Sequence, residues 1–375
     1  MTTTPPADPA VRTRLPYLDR VRTVLVAAVI LGHALMSYTD DAGSWPYQDH
    51  RETTLPAIVT AVLAVPAALG SLFAMGLLFL IAGAFTPASM AAHGRYRFLT
   101  GRALRLGVPL AAYTFGVWPA LIWLLERSDG GSRTFREILT HQRPPYDNGP
   151  LWFVAVLLIF SVAAATLIGR GQPPPAPPGP MRRRHLVAVA VLTAVGSFVV
   201  RLAFPVDSAQ PANLHLWQWP QCAALFCFGI AAGRRRWLAE PIPRHLANAG
   251  LVAAGTAAAA LTAVIAVAAP TGGIDPFLGG THWQSAALSA AEGVIATGAS
   301  IGVLALFQRH TADRPRTALA AADRAAYHAY LLHAPILILT AIVLHHVPAP
   351  ATAKLALLAS LGLAVSYAAA IRTSR

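Results

Sequence analysis

Charge is what this sequence has least of. Only 12% of its 375 residues are charged, about half the share found in an average soluble domain. That scarcity excludes a disordered chain, a coiled coil and an ordinary cytosolic enzyme. Cysteine is nearly missing too. Cys222 and Cys227 stand five apart in an apolar run, which gives neither a metal-ligand spacing nor a disulfide framework. They read as small core residues. No cleavable leader is visible: the N-terminal stretch is Thr/Pro-rich, then basic, and the first apolar segment is long enough to span a bilayer. Internal repeats and matched pairs of Gly/Pro-broken helices are also absent, and no soluble domain is expected at either end.

What the chain has instead is hydrophobicity. Apolar residues make up 55% and the mean hydropathy is +0.52. A spanning helix needs about 20 apolar residues, so the composition fits an all-α polytopic membrane protein of about ten transmembrane helices. The apolar segments fall near residues 21–38, 55–85, 103–125, 151–168, 185–204, 216–233, 245–269, 285–307, 327–344 and 354–370. Segment 55–85 is too long for one perpendicular crossing and contains Pro66. A tilted or kinked helix with an outer extension is expected there, a broken pair of half-helices being the alternative. The organisation reads as a cytoplasmic tail (1–15), a membrane domain (16–371) and a short cytoplasmic tail (372–375). The proline-rich run within 170–184 reads as an extended linker.

The net charge of +13 invites a nucleic-acid reading, which the charge distribution rejects. With the N-terminus inside, the inner segments collect 22 of the 29 Lys and Arg residues. The outer side keeps 7: Arg51, Arg127, Arg133, Arg136, Arg143, Arg201 and Lys354. That asymmetry gives an N-in, C-in orientation with an even number of crossings.

Ionisable groups within apolar segments are costly, so function is sought there first. The first segment carries Asp19, Arg20 and Arg22, then His33. Arg22 and His33 are eleven residues apart, which on a helix returns to one face, about 20° off, over about 16 Å. Asp19 falls near the same stripe. The bland alternative is topological anchoring by the arginines and packing by the histidine. Arg102 and Arg105 are i,i+3 neighbours at the start of the third segment. Two guanidiniums at a membrane mouth suit phosphate or pyrophosphate, or else serve as flanks beside lipid headgroups. Glu292 needs a partner or a wet cavity. Trp152 heads the fourth segment, where aromatic anchoring is the common role. His328 and His333 sit in the ninth, while Trp217, Trp219, His282 and Trp283 read as an outer aromatic belt.

These residues carry a resemblance. Tyr17-Leu18-Asp19-Arg20-Val21-Arg22 followed by His33 looks like the opening signature of the membrane acyltransferase family 3, in which an Arg and a His with ten residues between them recur on the first helix. The stretch from Phe98 through Arg102 and Arg105 to Pro109 resembles the family's Arg-x-x-Arg motif. Gly149-Pro150-Leu151-Trp152-Phe153 and Tyr330-Leu331-Leu332-His333-Ala334-Pro335 match two further landmarks in order. The single membrane domain is more similar to the glucan biosynthesis protein C branch than to two-domain relatives. The apolar stretch 79–85 departs from the Ser-Gly-Phe element of many relatives.

The resemblance implies a multi-pass inner (plasma) membrane enzyme. It would move an acyl group from cytoplasmic acyl-CoA, such as acetyl-CoA or succinyl-CoA, to a hydroxyl of a carbohydrate or lipid-linked acceptor. His33 would be base or acyl relay, with Arg22 and Asp19 on its polar face. Arg102 and Arg105 would hold the donor. From their own placement in or beside apolar segments, Trp152, Glu292 and His333 are the candidate substrate contacts. No permanently bound cofactor and no metal are implied. The partners are donor, acceptor and membrane lipids, not nucleic acid, and a homo-oligomer is left open. The competing class is a transporter or flippase of a small or lipid-linked substrate. A non-catalytic scaffold would leave His33, Glu292 and the arginine pair unexplained.

Overall fold

A computed structural model describes residues 15–40, 45–142, 144–168, 179–311 and 317–374. The N-terminal tail, most of the proline-rich linker, and Arg12, Arg14, Arg143, Arg170, Arg314, Arg316 and Arg375 lie outside the described residues. Among the described residues, regular structure is helical throughout.

The first helix, α1 (Pro16–Met36), begins with proline at a position where a missing N–H is harmless. It packs against four later helices: α2 (Ala57–Arg102), α11 (Trp283–His310), α12 (Thr317–His345) and α13 (Ala351–Thr373). Ile30 and Ala34, in its C-terminal half, are fully buried. A single-turn 3-10 segment, Pro46–His50, leads from α1 to α2.

The long helix α2 departs from expectation in two ways. The charged stretch between residues 85 and 103, expected as a loop, is helical; Pro87 is absorbed within the helix, and the Ala-rich run after it favours helix up to Gly94. The dihedral break also falls at Gly94 (φ 73°, ψ 163°) rather than at Pro66. Glycine tolerates that left-handed region without a Cβ penalty. Buried side chains of α2 begin only at Ala74, so its first turns project beyond the packed bundle.

After α2 the chain widens into a π-turn (Ala103–Gly107), resumes as α3 (Val108–Ala112), widens again (Tyr113–Val117) and continues as α4 (Trp118–Ser128). Each π-turn precedes a proline, Pro109 or Pro119. A proline cannot donate to the carbonyl four residues back and would clash with it, and a local i→i+5 turn relieves both problems.

The remaining elements are α5 (Phe135–Thr140), α6 (Trp152–Ile168), α7 (Arg183–Arg201), α8 (Trp219–Arg234), α9 (Arg244–Gly272) and the one-turn α10 (Asp275–Leu278). Helices α2 and α8 touch backbone to backbone. A Cβ on Gly229 would lie 2.1 Å from the Leu80 carbonyl oxygen, so only glycine permits that approach. Cys222 of α8 is buried but Cys227 is exposed, against the expectation of two core residues.

Among the described residues, seven helical stretches are long and apolar enough to cross a membrane, the 72-residue run Ala57–Ser128 among them. Helix α1, with three charges in its first two turns, and α8, with 16 residues, are not among the seven.

Candidate functional site

Helix α1 is the axis of the site. Its first turns present two arginines with different partners. Arg20 turns to α12, its Nε 3.0 Å from Asp323 Oδ1 and its Nη2 3.0 Å from Oδ2. The Thr23 hydroxyl donates to the same carboxylate at 2.7 Å. This two-point pair ties α1 to α12. Arg22 is held within its own helix by Asp19, at 3.1 Å, and lies 5.1 Å over the Phe85 ring.

Arg22 borders a cavity of about 520 Å³. Its rim carries Arg97, Arg102, Arg105 and His93, while Val26, Leu78, Ala82, Phe153 and Leu157 make its other wall apolar. Among the described residues no carboxylate lines it. Arg102 lies 5.3 Å over the Phe98 ring and feels the positive charges of Arg22 and Arg105. Guanidiniums gathered in this way are suited to a polyanion. The π-turn helps to shape the rim. The carbonyl of Arg105 stands four residues before Pro109, which has no N–H to offer it, and the Tyr327 hydroxyl donates to it at 2.8 Å.

Tyr330 belongs to two environments. It lines the cavity, and its ring is 5.4 Å from that of His333. Its hydroxyl donates to the Pro150 carbonyl. Beyond it the imidazoles of His33 and His333 lie 5.0 Å apart. His33 Nδ1 is 2.9 Å from the Val29 carbonyl, and His333 Nδ1 meets that of Tyr330. A carbonyl only accepts, so each Nδ1 carries the hydrogen and each Nε2 keeps its lone pair. His33 is partly accessible. His333 is sealed at 0% exposure, and its Nε2 has no hydrogen-bond partner.

An aromatic shell encloses the pair. Trp45 stands 4.7 Å from the His33 ring and is fixed by its Nε1 donating to Ser37 Oγ at 2.9 Å. Trp118 follows at 6.3 Å from Trp45, and Tyr113 stacks on Trp118 at 6.0 Å. The Tyr113 hydroxyl and Asn148 Oδ1 are buried without partners. Asp147 accepts from Trp118 Nε1 at 2.9 Å, Gly149 N at 2.8 Å and Asn213 Nδ2 at 3.1 Å.

The Gly149–Phe153 motif acquires a physical meaning here. Gly149 has φ 51°, and a Cβ on it would come within 2.6 Å of the Trp118 ring. Pro150 receives Tyr330. Trp152 stacks on His215 at 4.7 Å with 5° between the planes, and Phe153 lines the cavity. Trp152 is thus a buried wall of the site, at 8% exposure, rather than an interfacial anchor. His215 adopts a left-handed backbone (φ 48°, ψ 49°) at the start of a short 3-10 segment, Leu216–Gln218. Burial, and next the neighbouring His33, push its imidazole down to about 4, so it is neutral near pH 7.

The structure therefore brings together Arg22, Arg102 and Arg105, with Asp19 steadying the first. It also brings together His33, His333 and Trp152. Glu292 is elsewhere. It pairs with Arg201 at 2.7 Å, both side chains 1% exposed, and Ser289 receives the same guanidinium at 3.3 Å. Arg201, expected among the outer flanking charges, is a buried partner across the α7–α11 interface. Lys354, expected there too, is buried against Glu52. Burial would raise the Glu52 carboxyl, but hydrogen bonds from Lys354 and Tyr47 outweigh it and hold the group below the usual carboxylate range. His328 lies beside Tyr327, rings 5.9 Å apart, and does not line the cavity.

His215, Tyr113, Trp45, Trp118 and Asp147 carried no motif of their own. The one signal for them was the density of aromatic residues beside apolar segments. No three His, Cys, Asp or Glu side chains cluster as metal ligands among the described residues.

A family model described as an acyltransferase domain matches residues 15–371. No curated protein and no solved structure matches the chain.

Proposed function

The chain belongs to the membrane acyltransferase 3 family, and from that premise we propose that it is a membrane O-acyltransferase using acyl-CoA. Membership makes it a transferase of acyl groups other than aminoacyl groups; donor, acceptor and residue roles are our reading. The donor lies in the arginine-rimmed cavity, its phosphates on Arg22, Arg102 and Arg105 and its acyl-pantetheine arm along Val26, Leu78 and Phe153. The observation that carries this reading is Tyr330, one residue that lines the polycationic cavity and also touches His333, whose ring is against that of His33.

The chemistry then follows from the free Nε2 of His33. It takes the proton of the acceptor hydroxyl as the oxygen attacks the thioester carbonyl. The carbon–sulfur bond breaks, the electron pair goes to sulfur, and the proton follows to give the thiol. A guanidinium beside the reacting carbonyl, with Arg22 the first candidate, would stabilise the oxyanion. Aromatic faces at Trp45, Trp118 and Trp152, with unpartnered polar atoms on Tyr113 and Asn148, favour a sugar ring as acceptor.

The topology we propose has ten crossings with both termini inside. Among the described residues, seven stretches qualify by length and apolarity. Gly94 divides the longest into two crossings, and α1 and α8 complete the set. The charge asymmetry supports this orientation and an inner-membrane location.

The test is a thermal shift of detergent-purified protein across acyl-CoA thioesters, followed by an acyl-CoA hydrolysis assay. A ligand of the folded state raises apparent stability. Stabilisation and turnover by at least one thioester are expected. Indifference to every thioester and to free CoA would remove the donor assignment.

A further inference from the structure

The two imidazoles of the site carry more than one base requires. Each spends its Nδ1 hydrogen on a carbonyl of its own helix, so the resting pair holds two lone pairs and no hydrogen to share. The Nε2 of His333 is also fully buried without a partner, a costly state for a polar atom. We infer that His333 is a positioning residue acting through His33: its Nε2 accepts the hydrogen that His33 Nε2 gains, so that the two rings hold one proton between them during transfer. This rests on the acyltransferase reading above.

The surroundings leave His333 as the acceptor. When the acceptor oxygen bonds to the thioester carbon, its hydrogen passes to His33, and a cation forms in an aromatic enclosure where an unpaired charge is strongly disfavoured. Two rings touch His33, those of Trp45 and His333. Trp45 is an indole, which only donates, and its Nε1 is held by Ser37. Of the other groups in the shell, Asp147 already accepts from Trp118, Gly149 and Asn213, the Tyr330 hydroxyl donates to Pro150, His215 lies flat on Trp152, and the unpartnered Tyr113 hydroxyl belongs to a ring stacked on Trp118. The His333 ring, 5.0 Å from His33, is the one in ring contact that brings an unpartnered acceptor. As the carbon–sulfur bond breaks and its electron pair moves to sulfur, the shared hydrogen passes to sulfur. Both imidazoles return to neutrality, and atoms and charge balance.

Two substitutions separate this from a packing role. His333→Gln keeps an acceptor near the place of Nε2, whereas His333→Asn ends short of it. With His333→Asn we expect kcat to fall about ten- to hundredfold and the acid limb of the pH–rate profile to move about one unit lower, at unchanged donor KM. His333→Gln restores most of the rate and the position of the limb. An unmoved limb, or equal behaviour of the two variants, overturns the inference.

A second readout does not need turnover. In histidine-¹⁵N-labelled protein in detergent, acidification shifts the Nε2 resonances of His33 and His333 together in a single step, and independent steps overturn the pairing. Coupled resonances in a wild type that transfers no acyl group would sink the acyltransferase reading and leave the pair standing. Transfer with independent resonances would do the reverse.

Discussion

Arg20 and Arg22 sit two residues apart on one helix and do opposite things: Arg20 closes a two-point pair with Asp323 across to α12, while Arg22 faces a cavity with Asp19 beside it. Spacing alone would give them one role. The difference is the direction each side chain takes from the α1 axis, and it yields separable outcomes. Arg20→Ala lowers the melting temperature and leaves donor KM unchanged. Arg22→Ala leaves melting nearly unchanged and impairs turnover. Thermal melts and steady-state kinetics on both variants check the contrast, and a shared phenotype would refute it.

His33→Ala should abolish acyl transfer, by about 10²- to 10⁴-fold if general-base catalysis is its contribution. Membrane insertion and acyl-CoA binding survive, because the side chain makes one hydrogen bond, to its own helix. Retained turnover would take His33 out of the mechanism.

Arg102→Ala should weaken donor binding. A charge-assisted hydrogen bond to phosphate contributes about 1.5–3 kcal/mol, or roughly a ten- to hundredfold rise in Kd. Free CoA and acyl-CoA should be affected alike, since the proposed contact is to the phosphates. Calorimetric titration of both ligands reads this directly, and unchanged affinity returns the residue to a topological role.

Glu292→Ala leaves Arg201 buried and unpaired, which costs about 3–5 kcal/mol. Replacing both partners together, Arg201→Met with Glu292→Leu, should recover most of that loss. Thermal melts of the single and double variants decide it. A harmless single variant would mean that the pair is hydrated or reorganises freely.

His215 supplies a pH dependence of known sign. Its imidazole titrates at about 4 in the folded chain, against an ordinary 6.5, so the unfolded chain binds its proton first. The stabilisation is complete above about 6.5 and is lost as pH falls toward about 4. His215→Asn removes the titration while tolerating the left-handed backbone. The gap between wild type and variant in melting temperature should therefore narrow between pH 7 and pH 5. A constant gap would contradict the burial of His215.

Much of this site could be read before any coordinates. Asp19, Arg22 and His33 share a helix face whose spacing is plain, and Arg102 with Arg105 mark a charged entrance by residue type alone. Other features lay in tertiary geometry that spacing does not encode. Arg201 stands at the end of an apolar segment, where a flanking charge and a buried partner look the same. The arginine-rich stretch after Phe85 resembles a loop in composition, and Pro87 and Gly94 add to that impression, yet the helix runs through both. His215 comes from a connecting segment and becomes part of the site only through the plane of Trp152. Trp152 itself sits where aromatic residues commonly meet lipid, and burial against His215 gives it a different task.

The dihedral break at Gly94 has a final consequence. Leu78 and Ala82 precede it and Phe98 and Arg102 follow it, so opposite walls of one chamber belong to a single uninterrupted stretch of backbone. Any side chain at that glycine would re-aim both walls together. The bore of the chamber would change before the bundle itself came apart.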